Sequence, residues 1–339
     1  MSLEVIILAA GQGTRMKSDL PKVLHCVAGR PLLEHVVCVA QSLEPAVIHV
    51  VVGHESAQVR SALCEYQLKW VPQAQQLGTG HAVLQAMPNI ATDSTVLVLF
   101  GDVPLLSSET LADLVARASA SPALLTAAVA QPFGLGRIIR DDAGHFLSVV
   151  EEKDATDEQR VIREINTGVL AAPAALLKEY LPLVGSDNKQ REYYLPDILG
   201  LAVSDGMLVE SCEVGSEIEA MGVNDRVQLN QVEREYQRRQ VEDLMRDGVS
   251  VADVNRLDIR GSLVCGKDVS IDISAVFEGQ VRLGDGVSVG PNCVLIDTTI
   301  GDRCSVHAMS HLQEVALGDD CSVGPYARLR PGTVLAQGA

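Results

Sequence analysis

The residues of this chain with the clearest chemical potential sit where short apolar runs end in glycine. Val5-Ile6-Ile7-Leu8-Ala9 reads as a strand apolar on both faces, and it leads into Ala10-Gly11-Gln12-Gly13-Thr14-Arg15-Met16, followed by Leu20-Pro21-Lys22. A glycine-rich loop leaving a parallel strand places bare backbone N–H groups at the carboxyl edge of a sheet, within reach of a phosphate. Arg15 and Lys22 add side-chain cations to the same spot. Met16 stands where the dinucleotide pattern Gly-x-Gly-x-x-Gly needs its third glycine, and no Gly-x-x-x-x-Gly-Lys-Ser/Thr occurs. Alone, the loop says phosphate, with a nucleotide the first candidate and a plain glycine turn flanked by surface bases the competing explanation.

Phe100-Gly101-Asp102-Val103-Pro104-Leu105 closes a second buried run, Thr95 to Phe100. A carboxylate there lies on the same sheet edge, where Mg²⁺ can be held together with substrate phosphates. The alternative is an aspartate that begins a turn before Pro104. In Gln73-Ala74-Gln75-Gln76-Leu77-Gly78-Thr79-Gly80-His81, amide side chains and loop N–H groups can match a base edge, while His81 reads as a helix start rather than a general base. Gly134-Leu135-Gly136-Arg137-Ile138, Val150-Glu151-Glu152-Lys153 and Ile165-Asn166-Thr167-Gly168 end or interrupt strand-like runs. They could shape a sugar pocket, yet singly they are ordinary turns. Asn224, just before a charged stretch, suits a helix N-cap.

These residues need a scaffold, and the apolar pattern supplies one. At ~100–200 residues per domain, 339 residues predict two or three domains. From Leu3 to about Val223, strand-like runs such as Ala46–Val52 and Thr95–Phe100 alternate with helical stretches at Pro31–Ser42, Gly80–Met87 and Ser107–Ala118. Continuous apolar strands separated by helices mark a parallel sheet covered on both sides, here an open doubly wound α/β domain. Asp225 to Asp247 reads as one long connecting helix, with Leu229, Val232, Tyr236 and Leu244 as a narrow buried stripe and Gly248 as its stop.

After Gly248 a period of six replaces the helical one. Ile259, Cys265, Ile271, Phe277, Leu283, Val289 and Leu295 recur every six residues; the register slips once to Ile300, Val306 and Leu312, and again to Leu317, Val323, Leu329 and Leu335. A small or medium residue often follows four positions later, as at Val269, Ala275, Cys293, Cys304 and Cys321. This is the pattern of a hexapeptide-repeat parallel β-helix, whose coils bury their faces only against neighbouring coils. Cys265, Cys293, Cys304 and Cys321 fall on inward positions, which favours packing over chemistry for them.

Composition removes several classes of function. The net charge of −17 disfavours nucleic acid and anionic lipid as partners. No apolar run approaches the ~20 residues that span a bilayer, and Met1-Ser2-Leu3-Glu4-Val5 shows no secretory signal. Eight cysteines without any Cys-x-x-Cys spacing are expected as free thiols in a reducing cytoplasm rather than as a zinc or redox motif.

Taken together, Leu8-Ala9-Ala10-Gly11-x-Gly13-Thr14-Arg15-Met16 with Pro21-Lys22, Gln76-Leu77-Gly78-Thr79-Gly80, Gly101-Asp102, Asn166-Thr167-Gly168 and the hexapeptide tail resemble a known family. It is the sugar-phosphate nucleotidylyltransferases, in particular the bacterial bifunctional N-acetylglucosamine-1-phosphate uridyltransferase/glucosamine-1-phosphate acetyltransferases. The resemblance implies a Rossmann-like doubly wound nucleotidyltransferase domain over residues 1–224, a linker helix over 225–248, and a partial left-handed β-helix over 249–339. It implies that Leu8, Ala9, Ala10 and Gly11 underlie the nucleotide, with Gln73, Gly78 and Thr79 on the uracil and Phe100 and Gly101 beside the ligand. Arg15 and Lys22 would face the triphosphate and the sugar phosphate, and Asp102 and Asn224 would bind Mg²⁺. Gly136, Glu151 and Asn166 would contact N-acetylglucosamine, and Arg330 would match the acetyltransferase site. UTP and N-acetylglucosamine 1-phosphate are the implied substrates, a homotrimer the implied assembly, and the cytoplasm the implied location.

Phe100 stands where the family usually has tyrosine, and the sequence stops at Ala339 in mid-repeat, so the acetyltransferase activity is expected to be lost by truncation. Two alternatives remain at this level. One is a nucleotidylyltransferase of other base or sugar specificity; the other is a non-catalytic scaffold subunit.

Overall fold

The continuous apolar runs of the first two thirds become the centre of one sheet. The computed structural model describes every residue except Met1, Gln12, His54 and Glu55. It divides into two units: Met1–His25 with Pro31–Gln228, and Cys26–Arg30 with Leu229–Ala339.

In the first unit, β1 (Leu3–Ala9), β2 (Val47–Val52), β3 (Lys69–Pro72), β4 (Thr95–Phe100), β5 (Ala123–Ala128), β6 (Arg137–Arg140), β7 (Phe146–Val150), β8 (Glu164–Pro173) and β9 (Glu210–Glu213) share a nine-stranded sheet. Its main path is β9-β5-β8-β4-β1-β2-β3, and β6 links β8 to β7. The strands of that path are parallel except β8, which runs antiparallel to both β4 and β5. The reversal left no local trace, because Val169, Leu170, Ala171 and Ala172 of β8 are fully buried like their parallel neighbours.

The helices are α1 (Leu32–Gln41), α2 (Ser56–Ala62), α3 (Thr79–Ala86), α4 (Ser108–Arg117), α5 (Asp157–Arg160), α6 (Ala174–Tyr180), α7 (Asp197–Ser204) and α8 (Arg226–Arg246). Alternate residues of β1 enter two cores, as the two-residue strand period requires. Val5 and Ile7 pack with Leu33, Val36, Leu111 and Leu114 of α1 and α4, while Ile6 and Leu8 pack with Val83, Leu177 and Ile198 of α3, α6 and α7. Each such side chain contributes about 1.5–3 kcal/mol by burial. Two apolar layers thus fix the height of the β1 and β4 carboxyl ends, where the glycine loop and Asp102 begin.

Helix α8 occupies the expected charged stretch, with two corrections. Its cap is Asp225, whose Oδ1 accepts from the N–H groups of Val227 and Gln228, both at 2.9 Å, so Asn224 is free of that duty. Its fully buried residues are Val232, Gln237 and Val241, whereas Leu229, Tyr236 and Leu244 are only half-buried. Gln237 escapes an apolar count because it is polar. Its amide donates to Ile259 O and accepts from Ile259 N, both at 2.8 Å, satisfying a strand edge that would otherwise be orphaned.

In the second unit, parallel strands stack in two curled sheets. Strands β10 (Leu257–Cys265) and β11 (Ala275–Leu283) pair along their whole length. Later pairs step by 18 residues, as Val276 to Val294, or by 17, as Val294 to His311 and Ser305 to Ser322. Those steps are three periods of six, or one residue fewer at each slip in the aliphatic register. Ile259, Ile271, Phe277, Leu283, Val289, Leu295, Ile300, Val306, Leu312, Leu317 and Val323 are buried, while Cys265, Leu329 and Leu335 are half-covered. None of the eight cysteines is in a disulfide. The buried thiols of Cys293, Cys304 and Cys321 donate to carbonyls of His307, Gly318 and Ala336 on the next coil, at 3.2, 3.0 and 3.1 Å. Among the described residues, no helix is long and apolar enough to cross a membrane.

Candidate active site

The loop after β1 turns on Gly13, which has φ +60° and starts a single 3-10 turn, Thr14–Met16. A Cβ on Gly13 would stand 2.6 Å from the Lys22 Cβ, so glycine is what lets the Pro21-Lys22 segment return this close. Buried Met16 anchors the turn from below.

Lys22 then meets two residues that lie far away in sequence. Its ammonium pairs with Asp102 Oδ2 and donates to Asn224 Oδ1 at 3.3 Å, and Arg15 Nη2 donates to the same Asn224 oxygen at 2.9 Å. The Lys22 and Asp102 side chains are only 13% and 15% exposed, so the pair is shielded from bulk water. Three segments place these groups. They are the glycine loop, the end of β4, and the approach to α8, which is fastened by Val223 N–H donating to Asp102 O at 2.9 Å.

Beside this cluster is a cavity of about 230 Å³ lined by Leu8, Ala9, Ala10, Gly11, Lys22, Gln73, Gly78, Thr79, Phe100 and Asp102, together with Gln76, Ala82 and Glu192. Buried Gln73 donates to Gly78 O at 3.3 Å, and its amide pairs with His81 Nδ1 at 3.0 Å. His81 sits in the first turn of α3, with its other nitrogen 3.3 Å from Gln85, so both ring nitrogens are engaged in structure. The loop is clasped by Asn188–Leu195. Tyr193 N–H donates to Leu77 O and Gly80 N–H to Tyr193 O, both at 2.8 Å, and Leu195 N–H donates to the Thr79 hydroxyl at 3.0 Å.

A second cavity of about 350 Å³ shares Phe100 and Asp102 with the first and adds Asn166, Asn224, Gln131, Phe133, Met221 and Gln228. The Phe100 ring packs on Gly168 and lines both spaces. Gly136, Glu151 and Asn166 lie side by side, just before β6, just after β7 and within β8. Arg137 pairs with Val150 and with Ile165, and the three residues are the next ones along. Asn166 N–H donates to Gly136 O at 2.8 Å, and a Cβ on Gly136 would lie 3.0 Å from Glu151 Oε1. Burial holds the Glu151 carboxyl above its ordinary range, Asp197 and Asp154 push it further, and Arg137 opposes them. Asp197 itself is pushed up to about 6 by burial and by Asp154.

Most of the expected residues therefore converge, with exceptions. Asn166 lines the second cavity, but Gly136 and Glu151 line neither. Gly101 is buried behind the first cavity, its N–H on Leu8 O at 2.9 Å. Arg15 lines neither and reaches the cluster through Asn224. Arg330 belongs to the second unit, where its carbonyl accepts from Thr333.

Asp102 and Asn224 suit a hard divalent ion. Both aim oxygens at one point that already carries the positive charge of Lys22, and Mg²⁺ prefers few protein oxygens with phosphates and water completing its shell. Among the described residues, no group of three or more His, Cys, Asp or Glu is arranged to hold a metal ion by itself.

Glu192 and Gln228 were missed from sequence. Nothing local marks Glu192, which arrives on a loop more than a hundred residues after the one it covers. Gln228 was accessible: it is one helical turn beyond Asn224, and its Oε1 accepts from Asn224 N–H at 2.8 Å.

Residues 5–179 match the model of the MobA-like NTP transferase domain family. Over 338 residues the chain is 51% identical to the bifunctional protein GlmU of Alkalilimnicola ehrlichii, covering 100% of this chain and 73% of that one. It is 50% identical over 337 residues to the bifunctional protein GlmU of Aromatoleum aromaticum, covering 99% and 74%. Among solved structures, a nucleotidyl transferase from Methanothermobacter thermautotroptrophicus aligns with TM-score 0.51 at 21% identity, covering 70% of this chain and 99% of that one. A putative glucose-1-phosphate thymidylyltransferase from Bacillus anthracis aligns with TM-score 0.54 at 17% identity, covering 68% and 94%. At those identities the two structures speak for the fold alone.

Proposed function

This chain belongs to the family of the bifunctional GlmU proteins and carries a MobA-like NTP transferase domain, and from that premise we propose how its residues work. It is a nucleotidyltransferase that moves UMP from UTP to N-acetylglucosamine 1-phosphate, yielding UDP-N-acetylglucosamine and pyrophosphate. Residues 1–224 are the catalytic domain, 225–248 a linker helix, and 249–339 part of a left-handed hexapeptide-repeat β-helix. The 17- and 18-residue steps and the buried aliphatic column support that last reading. Exposed Val264, Tyr326 and Val334 support a homotrimer formed through it. UTP as substrate puts the reaction in the cytoplasm.

The single observation carrying the catalytic reading is the meeting of Arg15, Lys22, Asp102 and Asn224 beside the glycine turn. The uracil lies over residues 8–11 against Gln73, Gly78 and Thr79 in the first cavity, and the acceptor sugar lies in the second, against Asn166 and toward its neighbours Gly136 and Glu151. A sugar-phosphate oxygen attacks the α-phosphorus in line, forming one P–O bond as the bond to pyrophosphate breaks. That oxygen is ionised at neutral pH, so no general base is required, in keeping with His81 being occupied elsewhere. Arg15, Lys22 and the loop N–H groups neutralise the approaching anions and hold them aligned. Asp102 and Asn224 would hold Mg²⁺, which would supply divalent charge beside the same phosphates.

Mixing the protein with UTP, Mg²⁺ and N-acetylglucosamine 1-phosphate should release pyrophosphate, with dTTP and ATP as poor substitutes for UTP. No release, or a preference for another base, would remove this reading. Asp102→Ala should lower turnover by on the order of 10²-fold or more at ordinary Mg²⁺, and near wild-type rates would remove the metal assignment.

A further inference from the structure

Arg137 is the largest of the fully buried side chains, and the chemistry above does not use it. Its guanidinium ties three backbone segments together. Nη1 donates to Leu135 O before β6, and Nη2 donates to Glu152 Oε2 after β7 at 2.5 Å and to Arg160 O at the end of α5 at 3.3 Å. Glu152 Oε2 also accepts from Gly134 N–H at 3.3 Å. Arg137 and Glu152 therefore form a clamp directly beside Gly136 and Glu151, which lie against each other just before β6 and just after β7. A buried ion pair contributes little net stability, and here the guanidinium Nε is left without a partner, so stability alone is a poor account of the arrangement.

We propose that Arg137 is a positioning residue for the acceptor sugar phosphate: with Glu152 it locks the ends of β6 and β7 so that Glu151 stands over the space left by Gly136 and beside Asn166. The inference rests on those three residues being the sugar contacts. Arg137 touches no substrate itself. It sets where the Glu151 carboxylate is held, and it adds a positive charge that favours the ionised form.

The test is steady-state kinetics with both substrates varied, on Arg137→Met, Arg137→Lys and Glu152→Gln, with melting temperatures measured alongside. Arg137→Met should raise the KM for N-acetylglucosamine 1-phosphate about tenfold or more, because small misplacements of a positioning group are costly, while the KM for UTP stays within about twofold. Arg137→Lys keeps the charge but not the fork, and Glu152→Gln keeps an acceptor but not the charge; both should fall between wild type and Arg137→Met. Should Arg137→Met fail to fold, those two milder variants decide by the same ratio of KM values. Folded variants with both KM values unchanged, or both shifted equally, would overturn the clamp. Absence of pyrophosphate release by the wild-type protein would instead count against the function itself.

Discussion

Lys22 stands with its ammonium between Asp102 and Asn224, and Arg15 reaches the same asparagine from the other side. In the function proposed above, these two cations on one polar cluster are the landing place for phosphates in an otherwise acidic chain. Arg15→Ala should therefore lower kcat by about 10²-fold, more than it raises KM for UTP, because charge develops on the departing pyrophosphate. Loss in KM alone would make Arg15 a ground-state contact. Glu151 supplies a pH signature. If its ionised carboxylate accepts from sugar hydroxyls, acid should weaken sugar-phosphate binding. Its proton is held above the ordinary value of 4.5 by burial, Asp197 and Asp154, so KM should begin to rise at a higher pH than an ordinary glutamate would give. Asp197→Asn removes one neighbouring carboxylate and should move that rise to lower pH. A KM–pH profile identical in the two proteins would contradict the coupling.

At the scale of elements, the start of α8 separates two neighbouring residues by role. Asp225 caps the helix, while Asn224 turns toward Lys22 and Arg15. Asp225→Ala should cost about 1 kcal/mol of stability, the usual loss of an N-cap, and retain most turnover. Asn224→Ala should do the reverse, with a melting temperature near wild type and turnover strongly reduced. Equal effects of the two substitutions in denaturation and in kinetics would mean that the division of labour is wrong. Along α8, Arg238 and Arg239 pair with Glu235, and Arg238 with Glu242, through arginines that are 33% to 41% exposed, and such solvent-facing pairs contribute only a few tenths of a kcal/mol each. The helix is held instead by Val232, Gln237 and Val241.

Across the whole molecule, the first unit has two cores and the second has one, and the two units respond differently to damage. The first unit is buried on both sides of one sheet, whereas the strands of the second unit are covered by the strands stacked next to them. Leu295→Ala, at a fully buried position between coils, should cost about 2–5 kcal/mol. Chemical denaturation should show that loss in the transition of the second unit, and a loss below about 1 kcal/mol would argue against a tightly packed column.

How much of this was legible in sequence depends on how local each cause is. Burial leaves a periodic trace within a few residues, so β1, β4, the helices flanking them and the six-residue column could be read directly. The turn at Gly13 and the cations beside it were equally plain. Tertiary structure alone decided that β8 runs backwards, that Asp225 takes the cap and releases Asn224, and that Gln237 fills an apolar stripe. It also decided that Glu192 lines the first cavity and that Arg137 reaches Glu152. Each of these depends on which distant segment lies alongside. Such neighbours follow from how the whole chain packs to bury its apolar faces and satisfy its buried polar groups, and no local preference of the residues themselves records them.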